Sequence, residues 1–203
     1  MNEKGILIVL SGPSGAGKDT VLKKLLAKDK NLKLSVSATT RTPRKNEKNE
    51  EDYFFISKAE FIQLISKGEM LEHAEYCGNY YGTPSYQVNK WLDRGRDVLL
   101  EIEVNGGAQI REKCPQAVRI FILPPSLKEL RNRLVYRATD SLEIVNKRLE
   151  IAKEEIKCAQ QYDYIVINDS IDRCVEDIFN IINCEKLRAY RRNNLIEEVL
   201  NNA

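Results

Sequence analysis

The chain has 203 residues, 42% hydrophobic and 31% charged, with 32 basic against 30 acidic side chains and a net charge of +2. That length fits one compact domain with room for a small insertion, and the near-balance of charge excludes the strong positive field of a protein whose main partner is nucleic acid. The longest apolar run, Ile6 to Leu10, is far short of the roughly 20 residues that a membrane helix needs.

The first apolar run stops at Ser11 without the cleavage pattern of a secretory signal, so a cytoplasmic protein with no membrane partner is expected. Cys77, Cys114, Cys158, Cys174 and Cys184 are scattered without a C-x-x-C pair and read as reduced thiols rather than a disulfide frame or zinc site.

In chain order, near-continuous apolar runs at Ile6 to Leu10, Asp97 to Val104, Ala117 to Leu123 and Tyr164 to Ile167 read as strands covered on both faces. Between and after them, Val21, Leu22, Leu25 and Leu26, then Ile171, Val175, Ile178, Phe179 and Ile182, recur at helical spacing. This alternation predicts an α/β fold with a parallel sheet between helices. Residues 35–86 break the pattern with a polar charged loop, a short aromatic run and a Gly78-Asn79 turn, and predict an inserted, partly antiparallel subdomain. Residues 136–142 form a second irregular segment, with Arg131, Arg133 and Arg137 close by, where a mobile lid is expected. The core is then 1–34, 87–135 and 143–203, and its tail from Cys184 to Ala203 is expected to form an extended helix with a frayed end.

Directly after the first strand comes Gly12-Pro13-Ser14-Gly15-Ala16-Gly17-Lys18-Asp19-Thr20, and a helix follows at once. Glycines there let backbone N–H groups approach a polyphosphate at the positive end of the new helix, and Lys18 adds a full charge. The run matches G-x-x-x-x-G-K-[ST] except at its last position, so the core is expected to be a three-layer P-loop NTPase fold. Asp19 occupies the place where a hydroxyl normally reaches Mg²⁺. Either Asp19 helps to hold the metal, directly or through water, or it points away and Thr20 or water supplies the oxygen.

Arg41 and Arg44 flank Pro43, three positions apart, where two guanidinium forks can grip one phosphate, and Tyr53 and Tyr81 offer phenolic donors. Taken alone, such a charged loop reads as solvated and such tyrosines as packed. Glu101 and Glu103, two residues apart at the end of one predicted strand, share a face where parallel sheets bind ligands.

The P-loop together with Ser-x-x-Thr-Arg-x-Pro-Arg from Ser37, the Asp52-Tyr53-Phe54-Phe55 run, Gly78-Asn79-Tyr80-Tyr81-Gly82 and Glu101-Ile102-Glu103 resembles the guanylate kinase family, in its order and spacing from about Gly5 to Asp169. The resemblance implies an ATP:GMP phosphotransferase using Mg²⁺. It implies that Arg41, Arg44, Tyr53 and Tyr81 bind the GMP phosphate, that Ser37, Glu72 and Thr83 contact guanine, and that Glu101 has a magnesium-linked role and Glu103 a guanine contact. It also assigns Arg137, Arg148 and Arg133 to phosphates and places Asn168 near adenine.

Chemistry supports a carboxylate at the base. Guanine presents two adjacent donors, N1–H and the exocyclic amine, and one ionised carboxylate accepts both, whereas adenine offers no such pair. His73, the only histidine, reads as a bystander, because phosphoryl transfer needs positioning more than a base of that kind. Arg148 lies four residues from both Ile144 and Ala152, beside the inward stripe of its helix. Two other readings stay open: a kinase for another nucleoside monophosphate, and a non-catalytic GMP-binding module of the same fold.

Overall fold

The computed structural model describes residues 4–136 and 142–202. In chain order its elements are β1 (Leu7–Ser11), α1 (Lys18–Lys28), β2 (Leu32–Leu34), β3 (Ala38–Thr39), β4 (Phe54–Phe55), α2 (Lys58–Ser66), β5 (Met70–Tyr76), β6 (Asn79–Pro84), α3 (Ser85–Leu92) and β7 (Asp97–Glu101). There follow α4 (Val104–Lys113), β8 (Val118–Leu123), α5 (Leu127–Tyr136), α6 (Leu142–Lys157), β9 (Tyr164–Ile167), α7 (Ile171–Lys186) and α8 (Asn193–Asn201).

Five strands pair in parallel in the order β2-β7-β1-β8-β9. Because successive side chains on a strand point to opposite faces, the apolar runs feed two cores. Ile8, Leu10, Leu99, Ile120 and Ile122 pack on α1 and α7 through Val21, Leu25, Val175 and Ile178. Leu7, Val9, Val98 and Leu100 pack on α3 and α4 through Val88, Leu92 and Ile110. The result is three layers, α/β/α, with the loop after β1 at the carboxyl ends of the strands. The three-residue strand β2 is too short to show a period and escapes the sequence reading.

A second sheet, in the order β4-β3-β6-β5, is antiparallel apart from the β3–β4 pair. Its small core is Ala38, Phe61 and Met70. Leu130, Leu134, Val145, Leu149 and Ala152 join α5 to α6 in a separate cluster. Among the described residues no helix is long and apolar enough to cross a membrane.

Two expectations need correction. β7 ends at Glu101, not Val104: Ser11 Oγ donates to the Ile102 carbonyl at 2.8 Å as the chain leaves the sheet, and Glu103 is the residue before α4. Glu101 and Glu103 therefore do not share a strand face. The tail is not one extended helix, because α7 stops at Lys186 and Arg188 is extended. Glu185 is buried at the end of α7, where it accepts from Tyr164 at 2.6 Å and from Arg188 at 3.0 Å, while Arg191 donates to the Gln116 carbonyl at 2.9 Å. These bonds fold the chain back across the end of the sheet before α8 begins.

Candidate active site

The cradle runs from Gly12 to the first turn of α1. Gly17 has φ 93°, and a Cβ there would lie 2.4 Å from Asn168 Nδ2, so both the backbone and its neighbour require glycine. Asn168, buried at the end of β9, donates to the Ala16 carbonyl at 2.7 Å, and its Oδ1 has no hydrogen-bond partner among the described residues. Arg133 on α5 donates to the Asn168 carbonyl at 3.0 Å and pairs with Glu129 at 3.1 Å. Both residues line a cleft of about 700 Å³ beside Gly15, Gly17 and Thr20. Arg148 donates through Nη2 to Ser14 Oγ at 2.6 Å, which brings α6 onto the loop. Lys18 Nζ donates to the Gly12 and Pro13 carbonyls at 2.7 and 3.3 Å. Arg137 and residues 137–141 of the expected lid lie outside the described residues.

Asp19 and Thr20 diverge. Thr20 lines the 700 Å³ cleft, whereas Asp19 meets Glu101 at the end of β7. Burial pushes the Glu101 carboxyl up, the Asp19 charge adds to this, and Lys18 opposes it. Two crowded carboxylates beside a phosphate loop are a hard-oxygen donor set of the kind Mg²⁺ takes, and that ion commonly uses only one or two protein carboxylates with water.

Glu101 also reaches a second cleft of about 400 Å³, between the two sheets. Ser37, Arg41, Arg44, Tyr53, Tyr81, Glu72 and Glu103 line it too, so segments from residue 37 to residue 103 converge there. One end is cationic. The Arg41 guanidinium lies 4.9 Å over the Tyr53 ring, which meets Tyr81 edge-on at 6.3 Å.

Glu47, by sequence one more acid in a polar loop, organises this end. It takes both Arg41 Nη groups at 2.6 Å and the Arg44 backbone N–H at 2.8 Å. These bonds, Arg41 first, hold its carboxyl down at about 2 and push the Arg41 guanidinium up. The signal in the sequence was its place six residues after Arg41 and three after Arg44. Glu47 grips the guanidinium end-on, which leaves the Nε edge of Arg41 for another anion.

The other end is acidic. Glu72 on β5 stands opposite Thr83 on β6, whose buried hydroxyl donates to Glu72 Oε1 at 2.6 Å. Burial pushes the Glu72 carboxyl up, with the Thr83 bond and the charge of Lys113 pulling against it. Thr83 thus stands behind Glu72 rather than on the cleft wall. His73 lies outside the cleft lining, and burial pushes its imidazole down.

Gly106 on α4 gives Glu72 its seat, since a Cβ there would lie 2.9 Å from Glu72 Oε2. Gly106→Ala is therefore expected to raise the KM for an acceptor read by Glu72 about tenfold. Alanine favours a helix over glycine by about 1 kcal/mol, so the KM rises without loss of the fold. Steady-state kinetics with a thermal melt check both.

The guanylate kinase family model matches residues 4–185. A guanylate kinase of Lactococcus lactis is 51% identical over 191 residues, covering 94% of this chain and 93% of its own length. One of Clostridioides difficile is 50% identical over 196 residues, covering 97% and 96%. The crystal structure of guanylate kinase from Anaplasma phagocytophilum superposes with a TM-score of 0.74 at 38% identity, covering 93% of this chain and 90% of that one.

Proposed function

Since the chain belongs to the guanylate kinase family, we propose that it transfers the γ-phosphoryl group of ATP to GMP, giving ADP and GDP, with ATP on the phosphate loop and GMP in the cleft that Glu101 lines. The observation that carries this reading is the acceptor cleft, with paired arginines and tyrosines at one end and buried Glu72 at the other. A nucleotide with an anionic tail and a base presenting two adjacent donors fits that polarity. Ser37 and Glu103 complete the base end, and Thr83 orients Glu72.

ATP lies with its phosphates on residues 12–20 and its adenine in the cleft beside Asn168. Asp19 and Glu101 would hold Mg²⁺. Bound there, the ion supplies neutralisation of phosphate charge. Arg41 and Arg44 align an acceptor oxygen that is already anionic, so no general base is needed. The γ-phosphorus bonds to this oxygen as its bond to the β-bridging oxygen breaks, in line and without a covalent protein intermediate. Lys18, Arg148 and Arg133 meet the negative charge on the transferring group, with Arg137 assigned to the same task, and closure excludes water.

ADP release is measured with GMP, dGMP, AMP and UMP as acceptors. GMP is expected to exceed AMP in kcat/KM by about 10⁴-fold, because AMP leaves Glu72 buried and unpaired. A preference for AMP or UMP overturns the assignment of substrate. Binding of GMP without turnover of any acceptor overturns the enzyme.

A further inference from the structure

β5 carries Glu72 and is the edge strand of its sheet: β6 takes one side, and the other faces α4. An edge strand presents backbone N–H and C=O groups that need partners. At His73, next to Glu72, the side-chain amide of Gln109 supplies both. Its Oε1 accepts from the His73 N–H at 3.1 Å, and its Nε2 donates to the His73 carbonyl at 2.8 Å. One amide thus does what a neighbouring strand does elsewhere. Four residues on along α4, Lys113 donates to the Met70 carbonyl at 3.0 Å.

Glu103, Gly106, Gln109 and Lys113 follow one another at intervals of three, three and four, so they form one stripe along the start and length of α4. That stripe begins with one acidic residue of the base end, gives the other its seat and fastens the strand that carries it. We propose that Gln109 is a specificity-positioning residue, which fixes Glu72 of the second sheet against Glu103 of the core so that both face one base. The inference rests on the proposed use of this cleft for GMP.

Without the two His73 bonds, β5 is free to shift against α4, and a shift of even about 1 Å misplaces a hydrogen-bonding carboxylate. The loss falls on the acceptor that uses both donors. GMP and IMP test this, because IMP lacks the exocyclic amine and keeps N1–H. In Gln109→Leu, which preserves bulk and removes both bonds, the ratio of kcat/KM for GMP over IMP is expected to fall about tenfold, with kcat at saturating GMP and the KM for ATP within about twofold of wild type. Gln109→Glu retains an acceptor for the His73 N–H and is expected to give an intermediate ratio, which keeps the test decisive if the leucine variant misfolds.

An unchanged ratio in a folded variant, or an equal loss for both acceptors, overturns the role of Gln109 and leaves the proposed function standing. A wild-type enzyme that does not phosphorylate GMP overturns the function, and this role with it.

Discussion

Arg148→Ala is expected to lower kcat about a thousandfold, with the KM for ATP and GMP within about threefold of wild type. Arg148 is half-exposed on α6, and its Nη2 contact with Ser14 Oγ at 2.6 Å places the guanidinium at the phosphate loop. In a loose transition state, charge spreads over the three equatorial oxygens of the transferring group, and a guanidinium there acts more strongly than on the ground state. Arg148→Lys is expected to recover only part of the loss, since an ammonium lacks the planar fork. Single-turnover measurements on the two variants separate chemistry from product release. A kcat within fivefold of wild type for the alanine variant removes Arg148 from the phosphoryl-transfer step.

The second large effect concerns the base. In Glu72→Gln the amide presents one acceptor and one donor, which clashes with one of guanine's two donors and matches the donor and acceptor of adenine. The preference for GMP over AMP is expected to narrow by about a thousandfold, with the KM for ATP unchanged. Because burial pushes the Glu72 carboxyl above the ordinary 4.5, the wild-type KM for GMP is expected to climb as pH falls, starting above the usual glutamate range, and Glu72→Gln abolishes this limb. The sign for stability is opposite. A carboxyl with a raised folded-state pKa loses stability as pH rises through that range, so the neutral amide is expected to unfold at a higher urea concentration than wild type at pH 7. A variant that keeps its GMP preference shows that another group reads the base.

The phosphate loop was legible because its chemistry is contiguous: strand, glycines, lysine and helix occupy residues 7–28 without a break. The four long apolar strands were legible for the same reason, as each is a local run. The acceptor cleft is different. Its residues are spread from Ser37 to Glu103, and only the resemblance joined them, since no period links a loop arginine to a buried glutamate on another strand.

What escaped was set by tertiary contact. Glu47 looks like any acid in a solvated loop until its two bonds to Arg41 are seen. Gln109 lies on a helix with nothing to mark it until an edge strand arrives. Glu103 reads as a strand residue because the apolar run continues through Ile102, while the backbone has already turned toward α4. The break after Lys186 likewise follows from bonds to buried Glu185, which no local pattern announces.

In each anion site one cation is already engaged by the protein, Lys18 by the carbonyls of its own loop and Arg41 by Glu47. A small free anion such as orthophosphate meets cations that are partly satisfied already and gains only one point of attachment. A nucleotide gains a base contact as well. The two sites as folded therefore favour a nucleotide over free phosphate.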